Sequence, residues 1–466
     1  MAAVPAHLAR EELERLDAPL VAGQHSDESL SESVLRYQLN GPGPGWKLLF
    51  GLGLAGTGLL VFSIGYTLYK GIGAWGNNIP VGWAYDITNF VWWIGIGHAG
   101  TLISAILLMF QQKWRNSINR FAEAMTLFAV LCAGIFPVLH TGRPWFAFWL
   151  FPYPSTLQMW PQFKSPLMWD VFAVSTYLTV SFLYWYMGLL PDLATMRDLA
   201  TTRARRIAYG IFSLGWRGSA RHWHDYKMAY LLMGGLATPL VLSVHTIVSF
   251  DFAVALLPGW HTTIFPPYFV AGAVFSGFAM VMTLIVPARR FMNLKHVITA
   301  RHLENINKVI LATGLMVSYG YLMEHFIAWY SGDEFERFVF HDRRAGFYRM
   351  IYFTQMFCNV LVPQIFWFKK ARNTIAIMWV ASILVQIGMW TERFMIVVQS
   401  LHKDFLPSSW GLYAPTWVDW GLLLGTMGFF GFAFLLFLKF VPAVALSEVK
   451  ELSHELSHGG HPGAGR

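Results

Sequence analysis

Apolar runs of about twenty residues recur almost from end to end of this chain, and that is the length an α-helix needs to cross ~30 Å of hydrocarbon. They fall at 46–69, 89–110, 121–140, 168–190, 226–250, 266–286, 306–330, 347–368, 373–392 and 416–440. With 13% charged residues and a mean hydropathy of +0.44, the 466-residue chain carries too little charge to keep a globular surface wet. A closed barrel is the other way to span a bilayer, but it needs short alternating strands, whereas 48–68 and 421–440 are apolar on every face. The expected fold is therefore an all-α polytopic membrane protein of ten transmembrane helices over 46–440, with tails over 1–45 and 441–466. The first run follows a charged, Pro-containing tail, so it is expected to stay as a helix and not to be cleaved as a signal. The last tail, with His454, His458 and His461 among Gly and Pro, is expected to be disordered.

Charge tests the count. Lys and Arg collect on the cytoplasmic side, and an even number of spans puts both termini on one side. With the termini inside, the outer segments hold only Lys70, Arg143, Lys164, Arg337, Arg343, Arg344, Arg349, Arg393 and Lys403 of the 34 Lys and Arg residues. A miscounted span would scramble that bias. The net charge of +8 thus reads as a topology signal between spans and not as a nucleic-acid surface.

Ionisable side chains at membrane depth cost at least ~2.5 kcal/mol each, which makes each a functional candidate. In the derived topology His140 ends span three, with Arg143 just beyond it, and Asp170 opens span four. His245 and Asp251 lie in the outer part of span five, Glu324 and His325 near the outer end of span seven, and Glu392 with Arg393 at the end of span nine. All sit at one depth. Acids, bases and arginines gathered in the outer third of the bilayer suit oxidation of a lipid-soluble quinol, whose ring oxygens need hydrogen-bond partners and whose two protons need acceptors. Helix ends also carry such residues in snorkelling ion pairs with no chemical task. A sparser series could carry protons deeper: His98 in GIGHAG near mid-bilayer, then Glu123 and Asp225 on the inner side, with Glu324 and His325 outside.

Two cysteines, Cys132 and Cys358, are too few for an iron–sulfur cluster. Haem needs His pairs on facing helices at matching depth, and of the span histidines only His98 lies clearly at mid-bilayer, so haem and metal ligation by this chain are not expected. Electrons taken from a quinol here must leave through a partner.

The stretch FPVLHTGRPWFAFWLFPYP at span three resembles the membrane subunits of the polysulfide reductase and NrfD-like family, where an L-H-x-G-R-P turn follows a transmembrane helix. The ten spans, the aromatic and Pro-rich extension over 145–166 and the PLMWD segment opening span four look most like the larger NrfD-like subunit of alternative complex III, the ActC type. The extension itself reads as a headgroup belt or a docking face for another protein. The resemblance implies two four-helix bundles, spans 2–5 and 6–9, flanked by helices 1 and 10. It also implies a quinol site in the first bundle, near the periplasmic face of a bacterial inner membrane with both termini cytoplasmic. Carried over, the site would comprise His140 from HTGRPW, Asp170 from PLMWD and Asp251 from VSFDF, with Arg393 from WTERF in the other bundle and His245 and Arg143 in support. His140 and Asp170 would be the proton acceptors. The substrate implied is a quinol such as menaquinol, and the implied partners are c-type cytochrome subunits, an iron–sulfur subunit and a second NrfD-like subunit. A secondary transporter or proton channel, and a structural anchor, are the competing readings. Transporters, however, bind near the midplane on broken helices, and an anchor needs no buried acids and bases.

Overall fold

The computed structural model describes residues 18–23, 26–151 and 161–458, and every regular element among them is helical. That follows from the solvent: hydrocarbon offers no partner to a backbone N–H or C=O, so each segment must satisfy its own. In order these are α1 (Asp27–Asn40), α2 (Pro44–Lys70), α3 (Tyr85–Met109), α4 (Asn119–His140), α5 (Pro166–Leu199), α6 (Arg203–Phe212), α7 (Ala220–Ala253), α8 (Phe265–Phe291), α9 (Ala300–Tyr330), α10 (Glu334–Ala345), α11 (Arg349–Met356), α12 (Ile375–Phe394), α13 (Trp417–Phe440) and α14 (Leu446–His458).

Nine of the described helices are long and apolar enough to cross a membrane: α2 to α5, α7 to α9, α12 and α13. The remaining expected span, 347–368, is a composite. It runs through α11, a π turn over Phe357–Leu361, one α turn over Val362–Gln364 and a 3-10 turn over Ile365–Trp367. Pro363 has no N–H to give to the Asn359 carbonyl, which breaks the regular ladder there.

Helices α3, α4, α5 and α7 close into one bundle, each touching the next, and α8, α9, the α11 composite and α12 make a second. The seam lies where α3 and α7 meet α8 and where α12 meets α3. Apolar side chains gain little by leaving lipid for a helix interface, so small residues that let backbones approach decide which helices pair. At Gly100 of α3 a Cβ would run into the Ala122 carbonyl and the Thr126 hydroxyl of α4. The Gly97 carbonyl in turn accepts hydrogen bonds from Thr126 Oγ1 (2.6 Å) and from Tyr177 OH of α5 (2.7 Å), which ties three helices at one point. Outside both bundles α2 and α13 pack on each other, and a Cβ at Gly428 would lie 2.5 Å from Gly56 Cα.

The two tails fold more than their composition suggests. Residues 446–458, expected to be disordered, form α14 with Leu446, Val449 and Leu452 buried. Asp192 accepts the backbone N–H groups of Leu446 (3.3 Å) and Ser447 (3.2 Å), Glu448 pairs with Arg115 at 3.0 Å and Glu451 with Lys227 at 2.6 Å. At the other terminus α1 buries Leu30, Val34 and Leu35, and Gln38 donates to the Leu438 carbonyl. His461 and residues 1–17, 24–25, 152–160 and 459–466 lie outside the described residues.

On the far side α10 is fastened to the segment after α12: Asp342 bonds Lys403 Nζ at 2.6 Å and pairs with His402 Nε2 at 3.1 Å. Burial opposes ionisation of Asp342, but these two partners outweigh it and hold its carboxyl down at about 2. An unfolded Asp titrates near 3.9, so the stabilisation is present above about pH 4 and is lost as pH falls toward about 2. Thermal unfolding in detergent across that window should show the wild type losing more stability than an Asp342→Asn variant; equal losses would contradict this. Separately, Gly428→Leu should cost about 1–3 kcal/mol by wedging α2 from α13, read as an earlier midpoint in denaturant titration of the purified protein.

Candidate functional site

A cavity of about 710 Å³ opens into the first bundle between α2, α3, α4 and α5. That volume is in the range of small-molecule sites. Its walls are mostly apolar, with Ile87, Phe90, Ile135, Val174 and Leu178 among them, and rim residues Leu131, Val138 and Leu167 are exposed on the helix surface that would face lipid. Its titratable groups, His140, Asp170 and Asp251, sit at one end.

Antiparallel packing explains why they meet. The start of α3, the end of α4, the start of α5 and the end of α7 all lie at the same end of the bundle, so Asp86, His140, Asp170 and Asp251 share one level. Within α4, Pro137 cannot donate to the Ala133 carbonyl, which loosens the last turn before His140. Thr141 continues the turn, and Gly142, at φ +73°, reverses the chain in a left-handed conformation that a Cβ disfavours. Pro144 then opens a 3-10 turn over Pro144–Leu150. The HTGRP motif is thus the mould that leaves His140 facing the cavity. Along the same turn Trp145, Phe148 and Trp149 stand more than half exposed.

His140 Nδ1 is bonded to Asp86 Oδ2, and Trp83 packs edge-on to the imidazole at 6.3 Å between centroids. Asp86 is buried and also accepts the Ala84 N–H at 3.0 Å, which fixes its carboxyl. A carboxylate can only accept, so Nδ1 carries the hydrogen in the neutral ring and Nε2 is left as the basic nitrogen. Across the cavity the Asp170 and Asp251 carboxyls lie within hydrogen-bonding reach of each other. Two carboxyls bond only through a proton held by one of them. The site therefore offers one base backed by an acid and one pair of carboxyls that can share a proton.

The sequence pattern of the polysulphide reductase NrfD family matches residues 74–403, which takes in both bundles and all of the cavity lining but Ile64 and Leu68 of α2. The chain belongs to the NrfD family. Among relatives, it is 26% identical over 254 residues to a putative dimethyl sulfoxide reductase membrane subunit of Halobacterium salinarum, a match over 53% of this chain and about half (52%) of that protein's length. It is 21% identical over 379 residues to a selenate reductase subunit of Mesobacillus selenatarsenatis, covering 77% of this chain and 85% of that one.

Of the residues singled out in this NrfD-family chain, the structure brings His140, Asp170 and Asp251 to one cavity. Arg143 is exposed and does not line it. Arg393 also stands apart: it pairs with Glu392 at 2.9 Å and lies over the Phe269 ring at 4.2 Å, and Phe269 packs on His245. His245 is fully buried at the seam with its ring 5.0 Å from that of His98, and none of their four ring nitrogens has a hydrogen-bond partner among the described residues. Those rings are in contact, so no macrocycle fits between them. Asp86 lies outside the expected span 89–110 because the helix begins four residues earlier, at Tyr85. An acid one residue into a helix at the level of HTGRP was the available signal.

The deeper candidates separate as well. Below His98, Thr101 bonds Tyr177 (3.3 Å) and Ser181 (3.1 Å), and Tyr184 OH reaches the Ser104 carbonyl. At the basic end Glu123 pairs with Arg120 (3.1 Å) and accepts from Tyr230 OH (3.1 Å), and Arg120 also holds Asp192 at 3.2 Å. Asp225 belongs to none of this; it forms an exposed pair with Arg221. Glu324 and His325 lie in the second bundle, Glu324 against Arg343 at 3.4 Å and His325 against Tyr352 OH at 3.0 Å.

If the cavity oxidises a quinol and Asp86 sets the tautomer of His140, Asp86→Asn should slow that oxidation by the intact complex about a hundredfold or more while the assembled complex still runs at its normal size on a native gel. An unchanged rate would remove Asp86 from the site.

Proposed function

We propose that this subunit binds a quinol in the α2–α5 cavity and takes up its two protons while its two electrons pass to a partner protein of the same complex. The observation that carries the reading is the cavity itself: a long apolar pocket open to the lipid side, closed at one end by His140–Asp86 and by Asp170–Asp251. A quinol ring between them would give one hydroxyl proton to His140 Nε2, where Asp86 stabilises the resulting imidazolium, and the other to the Asp170–Asp251 pair. Loss of two protons and two electrons converts the quinol to the quinone, which leaves by the way it came. The electrons need an acceptor close to the ring, and the exposed aromatic turn at Trp145, Phe148 and Trp149 beside the cavity is a fitting seat for an iron–sulfur subunit.

The relatives carry reductase names, so delivery of quinol electrons to a reductase is the broader form of this reading. The narrower form rests on the HTGRPW resemblance: an alternative-complex-III-type assembly with c-type cytochrome subunits and a second NrfD-like subunit, oxidising menaquinol at the periplasmic face of a bacterial inner membrane. The polar series from Asp251 through His245, His98, Tyr177 and Tyr184 to Glu123 would be the proton route through the first bundle.

His140→Leu and Asp170→Leu should each abolish quinol oxidation by the purified complex without changing its polypeptide composition, and preserved turnover in both would refute the reading. Because the two aspartates act as a pair, Asp170→Asn combined with Asp251→Asn should be no slower than the slower single variant.

A further inference from the structure

A second apolar groove lies at the basic end of the molecule, away from the quinol cavity. It measures about 560 Å³ and runs between α5, α6 and the last residues of α13. Its long wall is Phe182, Tyr186 and Leu189 of α5, faced by Ala208 and Phe212 of α6. The hydroxyls in it are already spent: Tyr186 OH donates to the Phe212 carbonyl at 2.7 Å and Tyr209 OH to the Phe440 carbonyl at 2.9 Å. One charged side chain lines the groove, Arg205, which is exposed and has no acidic partner among the described residues.

Helix α6 itself points to what the groove holds. Thr202 caps its N-terminus, and Arg203, Arg205 and Arg206 leave its first turn. Further along, Ile207 (53%), Ile211 (66%) and Phe212 (56%) are exposed, as is Leu214 just beyond it. A short helix that offers arginines and bare aliphatic side chains together belongs at the headgroup boundary, with its apolar residues among acyl chains and its guanidinium groups at phosphate level. An extended peptide in this groove would leave backbone polar groups without partners, which is costly. A long hydrocarbon body with a single anionic group suits the apolar walls and the one cation beside them.

We propose that the groove between α5, α6 and α13 is a binding site for one phospholipid with an anionic headgroup, its phosphate on Arg205 and an acyl chain along Phe182, Tyr186 and Leu189. The site is independent of the quinol reading, since it shares no residue with that cavity.

The test is native mass spectrometry of the intact complex after delipidation and exchange with phosphatidylglycerol or with phosphatidylcholine of the same chain length. Wild type should retain phosphatidylglycerol preferentially. Arg205→Gln should lose about fivefold of it, the effect of ~1 kcal/mol per basic residue at an anionic surface, and Arg205→Lys should restore most of the loss. Ala208→Trp, which fills the groove without touching charge, should lower retention of both lipids. Equal retention of the two lipids by wild type, or equal phosphatidylglycerol on wild type and Arg205→Gln, would overturn the proposal. So would capture of a protein, and not of lipid, by a photo-crosslinker placed at position 208.

Discussion

The close seating of α3 against α4, permitted by Gly97 and Gly100, positions most of the polar chemistry in the first bundle. It brings the Gly97 carbonyl within reach of hydroxyls from two other helices, so α3, α4 and α5 are held at one height. Once that height is set, the helix starts and ends fall in register, and the Asp86–His140 and Asp170–Asp251 pairs form at one level. The same seating puts His98 against His245 and sends the polar series toward Glu123. A residue with a Cβ at position 100 would shift all of this at once.

The two bundles divide the work of burying charge differently. In the second, each acid has a cation close by: Glu392 beside Arg393 and Glu324 beside Arg343, with Tyr321 bonded to both Glu392 and Asn359. Such neutralised pairs are what an interior tolerates. In the first bundle the cavity end holds three carboxyls and one imidazole, and the arginine of the HTGRP turn, Arg143, is exposed and does not line the cavity. That imbalance favours taking up positive charge, and it sits next to the apolar cavity.

Hydropathy made the spans legible because bilayer thickness fixes helix length regardless of what the helices touch. It could not register the π turn at Phe357–Leu361, where sequence stays apolar while the backbone leaves α geometry. Topology made His140, Asp170 and Asp251 legible, since alternation alone puts those helix ends on one face. The same rule puts Arg393, at the end of the other bundle, at that level, but depth alone does not say which side chains reach the cavity, and Arg393 turns instead to Glu392 and Phe269. Asp86 was hidden by a helix start that protein, and not lipid, surrounds. In the last tail the spacing of Leu446, Val449 and Leu452 was a helical signal masked by neighbouring His, Gly and Pro.

The pairing of α2 with α13 bears on how the molecule is made. Membrane helices are laid down in chain order, yet the main partner of the first spanning helix is the last. Until the chain is nearly complete, the glycine-bearing face of α2 looks onto lipid, and the insertion machinery or a chaperone must keep it from docking elsewhere. Truncation before α13 would leave that face open for good, making the newborn protein a substrate for membrane proteolysis.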